Sequence, residues 1–302
     1  MLAKMIGGIQ KKQTMQMTKQ KSDKNKTINI GFDRLYLFAS LSRLAYRSFQ
    51  DVKNTSIALS ADEPHLINLL SKSTRPSKND FLIFEKNENL ILGYAWRSQN
   101  MAYVVFKGSE TKYEFIDNFD ITQIPLFDEN ECPQIRSICA HRGYIRQYRF
   151  MEPGLLSFLN QSNIHEVYFL GHSRGGAIAH IAALAFHVNN NLQKKQNKKK
   201  THCITFGAPR AGNSAFAAFY ETQTELLVRT CRIYHIQDIV SYLPLSSKYK
   251  HISSPTICLY EKYEKSFKEN TCLNFLKIIR AHNIITYMRL LQQLYSKSNH
   301  KV

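Results

Sequence analysis

The chain has 302 residues, 43% of them hydrophobic, enough to bury the core of one large α/β domain. No apolar stretch is long enough to span a bilayer, and residues 1–26 lack the continuous apolar core of a secretory signal. The formal net charge of +18 raises nucleic acid or an anionic surface as a partner, but much of the excess sits in the N-terminal tail and in Lys194–Lys200. No aromatic residues interleave with those charges and no nucleic-acid module is recognised, so both runs read as solvated chain. The six cysteines are scattered, without Cys-x-x-Cys or metal-ligand spacing. Neither a metal, a cofactor nor a disulfide framework is expected, and a reducing, cytoplasmic compartment is.

In chain order, residues 1–30 read as a basic, disordered tail. Phe32 to Phe49 carries apolar residues at helical spacing, and Glu63 to Ser71 reads as a second helix with Asp62 as its cap and Pro64 in its first turn. Pro76 to Asn79 is a turn. Phe81–Phe84, Leu90–Trp96 and Met101–Phe106 are strand-like, the last two joined through Ser98 to Asn100. In Glu110 to Phe127, Phe115, Ile116, Phe119, Ile121 and Ile124 alternate with Glu114, Asp117, Asn118 and Asp120, which fits a short amphipathic helix. After Gly143 a helix reaches Phe158, followed by a strand at Val167–Leu170 and a helix at Arg174–Val188. Then come a strand at Cys203–Phe206, a helix at Asn213–Glu221 and a strand at Val228–Ile236. Leu273–Tyr295 is a long closing helix with a break near His282.

The chemistry concentrates at Gly171-His172-Ser173-Arg174-Gly175, where an apolar strand gives way to a helix of small residues. This is the Gly-x-Ser-x-Gly spacing of a nucleophile elbow. A serine on a sharp strand-to-helix turn projects its hydroxyl from the sheet edge, and the glycines let the backbone close on itself. The following helix aims N–H groups at an oxyanion formed there. In elbow hydrolases the order is Ser, then Asp or Glu, then His. After Ser173 the one aspartate is Asp238, at the end of the strand-like run Arg232–Asp238. Of the later histidines, His300 lies in the tail, His282 heads the closing amphipathic run and is the preferred base, and His251 is the fallback. Asp238 would hold the tautomer of the imidazole and stabilise the imidazolium.

Four segments in order resemble the class 3 lipases, the fungal-lipase-like branch of the α/β-hydrolases: Val104–Ser109, Gly171–Ala177, Thr205–Asn213 and Tyr234–Pro244. Ala140–Tyr144, and His282 with Tyr287, are weaker matches. The resemblance implies an α/β-hydrolase fold, a central mostly parallel sheet flanked by helices with a short lid-like segment. The domain would occupy residues 31–296, with a tail at 297–302. It further implies an oxyanion hole formed by the N–H of Arg174 and by Ser109, and a lid in Glu110–Phe127 carrying Phe115, Ile116, Phe119 and Ile121. Two positions depart from the pattern: Arg174 stands where Leu or another apolar residue is common, and Lys107 where Arg is common. The expected reaction is hydrolysis of lipid esters, acylglycerol or phospholipid, through an acyl-enzyme, with peripheral contact to a lipid interface. Two other readings stay open. A catalytically inert lipid-binding or scaffold protein would keep the fold and lose a triad member. A basic-surface polyanion-binding protein would bind independently of Ser173.

Overall fold

A computed structural model describes residues 30–47, 80–86, 90–109, 121–127, 136–161, 163–192, 198–260 and 280–299. The expected basic tail, the helix at 63–71, the turn at 76–79, residues 193–197, the start of the closing helix and most of the lid-like segment, with Phe115, Ile116 and Phe119, lie outside these.

Helix α1 (Phe32–Leu44) is followed by β1 (Phe81–Glu85), β2 (Ile91–Ser98) and β3 (Met101–Phe106), which form an antiparallel meander. The β2–β3 turn uses Gln99 at φ 57°. From β3 onward the sheet is parallel: β6 (Glu166–His172), β7 (Lys200–Phe206), β8 (Thr230–His235) and β9 (Thr256–Leu259) add in turn, giving the seven-stranded order β1-β2-β3-β6-β7-β8-β9. A separate two-stranded ladder pairs β4 (Gln123–Pro125) with β5 (Cys139–His141). Helices α2 (Arg142–Leu159), α3 (Arg174–Leu192), α4 (Ser214–Thr222) and α5 (Thr224–Leu227) cover one face, and α1 with α6 (Ile284–Asn299) covers the other.

The pleat distributes the core between these two layers. Along β6, Val167 and Phe169 point to the α2–α3 side, and Tyr168 and Leu170 to the α1–α6 side. Along β3, Val104 and Phe106 join the first layer, and Tyr103 and Val105 the second. Both faces being covered explains why the central strands read as continuous apolar runs. On the second side an aromatic row crosses four strands in register. Trp96 stacks on Tyr103, Tyr103 on Tyr168 and Tyr168 on His202, with centroids 5.4, 5.4 and 4.2 Å apart. Phe38 of α1, 1% exposed, packs its ring 5.2 Å from that of Tyr168.

The elements differ from expectation in a few places. Helix α1 stops at Leu44 instead of Phe49, because the Tyr46 and Arg47 N–H groups turn back to the Arg43 and Leu44 carbonyls, 3.0 and 2.9 Å away. The end of the lid-like segment is strand, not helix. Pro125 has no N–H for a helical turn, Ile124 pairs with Ala140, and its side chain packs on the core. Val228, expected in a strand, follows the short helix α5 and is 70% exposed. The closing helix does break near His282: Arg280–His282 are helical, Asn283 interrupts the helix, and Asn283 caps α6 by accepting the Ile285 N–H at 2.9 Å.

Phe38→Ala should therefore cost about 3–5 kcal/mol, read as a lower urea midpoint at unchanged slope, because it opens a cavity between α1 and the aromatic row.

Candidate active site

The site assembles where the parallel strands end. Strand β6 delivers Ser173, which adopts φ 59°, a left-handed conformation that serine rarely takes. Two close approaches require the flanking glycines. A β-carbon at Gly171 would run into the backbone of Gly175, and one at Gly175 into the Phe106 carbonyl at the end of β3. The Ser173 N–H is held by the Phe206 carbonyl of β7 at 2.9 Å, so the turn is fixed from both neighbouring strands.

Strand β8 leads to Asp238, which is fully buried. Its carboxylate accepts from the Val240 N–H (2.9 Å), the Ser241 hydroxyl (3.2 Å) and the Tyr287 hydroxyl (2.6 Å). His282 Nδ1 lies 2.9 Å from each carboxylate oxygen, and His282 Nε2 lies 2.8 Å from Ser173 Oγ. With Nδ1–H donating to the carboxylate, Nε2 is left to accept the serine proton. Burial alone would push the Asp238 carboxyl up. The charge and hydrogen bond of His282, and then the Tyr287 hydroxyl, outweigh it and hold the group below the usual aspartate range, so it stays ionised.

Structure thus brings Ser173, Asp238 and His282 into one hydrogen-bonded chain. His251 stands elsewhere: its Nε2 donates to the Ser241 carbonyl at 2.6 Å, supporting the turn after Asp238. Arg210 and Arg232 grip the same loop, through the carbonyls of Pro244 (3.0 Å) and Ile252 (3.4 Å).

Lys107–Ser109 leaves β3 beside the elbow, because Phe106 pairs with Gly171 and Gly175 abuts the Phe106 and Lys107 backbone. Lys107 is buried, and Ser109 half-buried. Arg174 opens α3, so its N–H belongs to the first turn of that helix. Its side chain runs close enough to Tyr144 of α2 for its charge to act on that buried phenol. Ile121, the one expected lid residue that is described, is 47% exposed. Among the described residues no group of three His, Cys, Asp or Glu side chains is arranged to hold a metal.

Sequence reasoning gave no role to three residues that contact the triad. Tyr287 was visible only as a weak match five positions after His282. Its hydroxyl accepts the His235 N–H at 2.9 Å while donating to Asp238. Gly207, at φ 58°, passes so close that a β-carbon would sit 2.6 Å from Asp238 Oδ2 and 2.9 Å from the Tyr287 hydroxyl. His172 sits behind His282, with ring centroids 4.7 Å apart. For His172 and Gly207 the signal was adjacency to motif residues, not residue type.

Residues 103–248 match the family model of Lipase (class 3). A lipase of Caenorhabditis elegans is 29% identical over 141 residues, which cover 47% of this chain and 37% of that protein. The chain therefore spans well under half the length of this curated relative. Among solved structures, a triacylglycerol lipase whose catalytic centre is formed by a serine protease triad superposes with a TM-score of 0.53 at 21% identity, covering 84% of this chain and 91% of its own. The Lip2 lipase of Yarrowia lipolytica gives 0.50 at 18% identity, with 82% and 91% coverage. At such identities these structures speak for the α/β-hydrolase fold.

Two outcomes follow from the packing around the triad. Tyr287→Phe removes a hydrogen bond to a buried carboxylate and should cost about 1.5–3 kcal/mol in urea denaturation at pH 7. The depressed Asp238 contributes stability above the unfolded carboxyl pKa and loses it as pH falls through the lower folded value. The deficit of the variant should accordingly shrink in strong acid. Second, burial lowers His172 and His180 to about 3. The unfolded chain binds protons there first, so their stability contribution is complete above the unfolded value of about 6.5 and falls with pH towards 3. Denaturation at pH 7.5, 6 and 5 should show a loss approaching about 1.4 kcal/mol per unit for each histidine below that value.

Proposed function

We propose that this chain, whose residues 103–248 match the class 3 lipase family model, is a serine carboxylic-ester hydrolase acting on lipid esters. The observation that carries the reading is the continuous chain from Ser173 Oγ through both nitrogens of His282 to the carboxylate of Asp238. Ser173 Oγ attacks the ester carbonyl carbon while His282 Nε2 takes its proton. Asp238, kept ionised, holds the imidazole in the Nδ1–H form and offsets the charge of the imidazolium. The tetrahedral oxyanion is held by the Arg174 N–H and by Ser109, through its N–H and hydroxyl. Collapse breaks the bond to the leaving alcohol, which receives the proton from His282 and leaves an acyl-Ser173. Water then attacks the acyl carbon, giving its proton to His282. Collapse releases the carboxylic acid and returns the proton to Ser173 Oγ.

The solved relative named above acts on triacylglycerol, and acylglycerol or phospholipid esters are the substrate class proposed here. Exposed apolar side chains support contact with a lipid surface: Ile121 ahead of β4, and Ile285 (53% exposed) three residues from His282. Among the described residues no helix is long and apolar enough to cross a membrane, and the contact proposed is a peripheral one.

Ser173→Ala should lower hydrolysis of p-nitrophenyl butyrate and palmitate by at least about 10⁴-fold and abolish fluorophosphonate labelling, with the fold kept. Wild-type turnover by that variant would end the reading. Ser109→Ala, losing one oxyanion donor, should cost on the order of 10²-fold in kcat with little change in KM, measured on the same esters.

A further inference from the structure

Two side chains that this reaction leaves unused stand directly behind the triad. His172 precedes the nucleophile, and its Nε2 lies 2.7 Å from the main-chain carbonyl oxygen of His282. Its Nδ1 lies 2.8 Å from the hydroxyl of Tyr46, in the turn that ends α1. A carbonyl can only accept, so Nε2 carries the ring proton. Burial keeps the ring neutral, with a single N–H, so Nδ1 accepts and the phenol donates. Every direction in the chain is thereby fixed: Tyr46 O–H to His172 Nδ1, and His172 Nε2–H to the His282 carbonyl.

The same phenol lies against the other half of the site. A β-carbon at Gly108, the residue before Ser109, would collide with the Tyr46 hydroxyl and sit 2.9 Å from the His172 carbonyl oxygen. One hydroxyl therefore touches the loop that carries Ser109 and, through one imidazole, grips the backbone of the base. Its ring meets His172 edge-on at 5.8 Å, and His172 meets Tyr287 likewise at 6.1 Å, so the imidazole is wedged between two phenols.

We propose that Tyr46 and His172 are positioning residues for hydrolysis: the Tyr46 hydroxyl sets the orientation and tautomer of His172, His172 anchors the His282 backbone where its Nε2 meets Ser173, and the phenol seats the Ser109 loop. Neither touches the substrate. The inference rests on the hydrolase reading above. Without the phenol, Nδ1 becomes a buried acceptor lacking its donor, and the tautomer protonated at Nδ1 becomes accessible. That tautomer turns a lone pair towards the His282 carbonyl and loosens the base. Small misplacements of a reacting group cost rate steeply while binding, which depends on the rest of the cleft, is spared.

Tyr46→Phe removes one oxygen and keeps the ring. With p-nitrophenyl butyrate, kcat should fall about 10- to 100-fold with KM within about twofold, and the fluorophosphonate labelling rate should fall by the same factor as kcat. The thermal midpoint should move by only a few degrees. His172→Gln, whose amide can still donate to the carbonyl, should retain more kcat than His172→Leu. Wild-type kcat in Tyr46→Phe overturns the inference, as does a loss that tracks the fraction of unfolded protein, or equal kcat in the two His172 variants. A wild-type protein that neither hydrolyses nor labels removes the hydrolase reading and this inference with it, whereas an active wild type with an equally active Tyr46→Phe removes this inference alone.

Discussion

Ser173 sits at φ 59° in a turn that no ordinary strand-to-helix junction would adopt, and the surrounding structure exists to hold it there. A residue with a β-carbon in that region costs on the order of 1–3 kcal/mol and persists only where its neighbours over-determine it. The neighbours here are identifiable. Phe206 of β7 takes the serine N–H, the Ser173 carbonyl takes the Gly176 N–H, and β3 crowds Gly175 so closely that only hydrogen fits. The strain is borne by the parallel sheet, whose strands are buried on both faces and do not shift independently.

The acid is held by a different device. Asp238 carries its charge in a fully buried place because the backbone of the following 3₁₀ turn (Ile239–Tyr242), a serine, a tyrosine and the base supply donors to its two oxygens. Beyond it, Arg210, Arg232 and His251 bind main-chain carbonyls of the loop. The loop is thus held partly through its main-chain carbonyls and partly through the side chains of Ser241 and His251, which keep Asp238 in place.

What the sequence disclosed was whatever chemistry writes locally. The elbow was legible because Gly171, Ser173 and Gly175 meet a steric demand within five positions, and Asp238 because a parallel strand must end at the sheet edge shared with Ser173. His282 was legible by elimination, and the break beside it because the apolar pattern of the closing helix falters there. Tyr46, Gly207 and Tyr287 were not legible as site residues, because nothing in their own segments says what lies across from them. Tyr46 acts through a contact 126 positions away. The end of the lid-like segment was misread because an alternating pattern with a proline suits an edge strand as well as a helix, and only pairing with β5 decides between them.

The hydrogen bond between Ser173 and His282 joins residues 109 positions apart, and Asp238 adds a third segment 44 positions before His282. No pair of neighbouring elements contains a working fragment of this site. Its assembly requires long-range loop closures, which cost more chain entropy than forming local helices and hairpins. On the proposed function, recovery of esterase activity during refolding would therefore time the joining of these three segments, an event that circular dichroism, which reads helix content, would pass over.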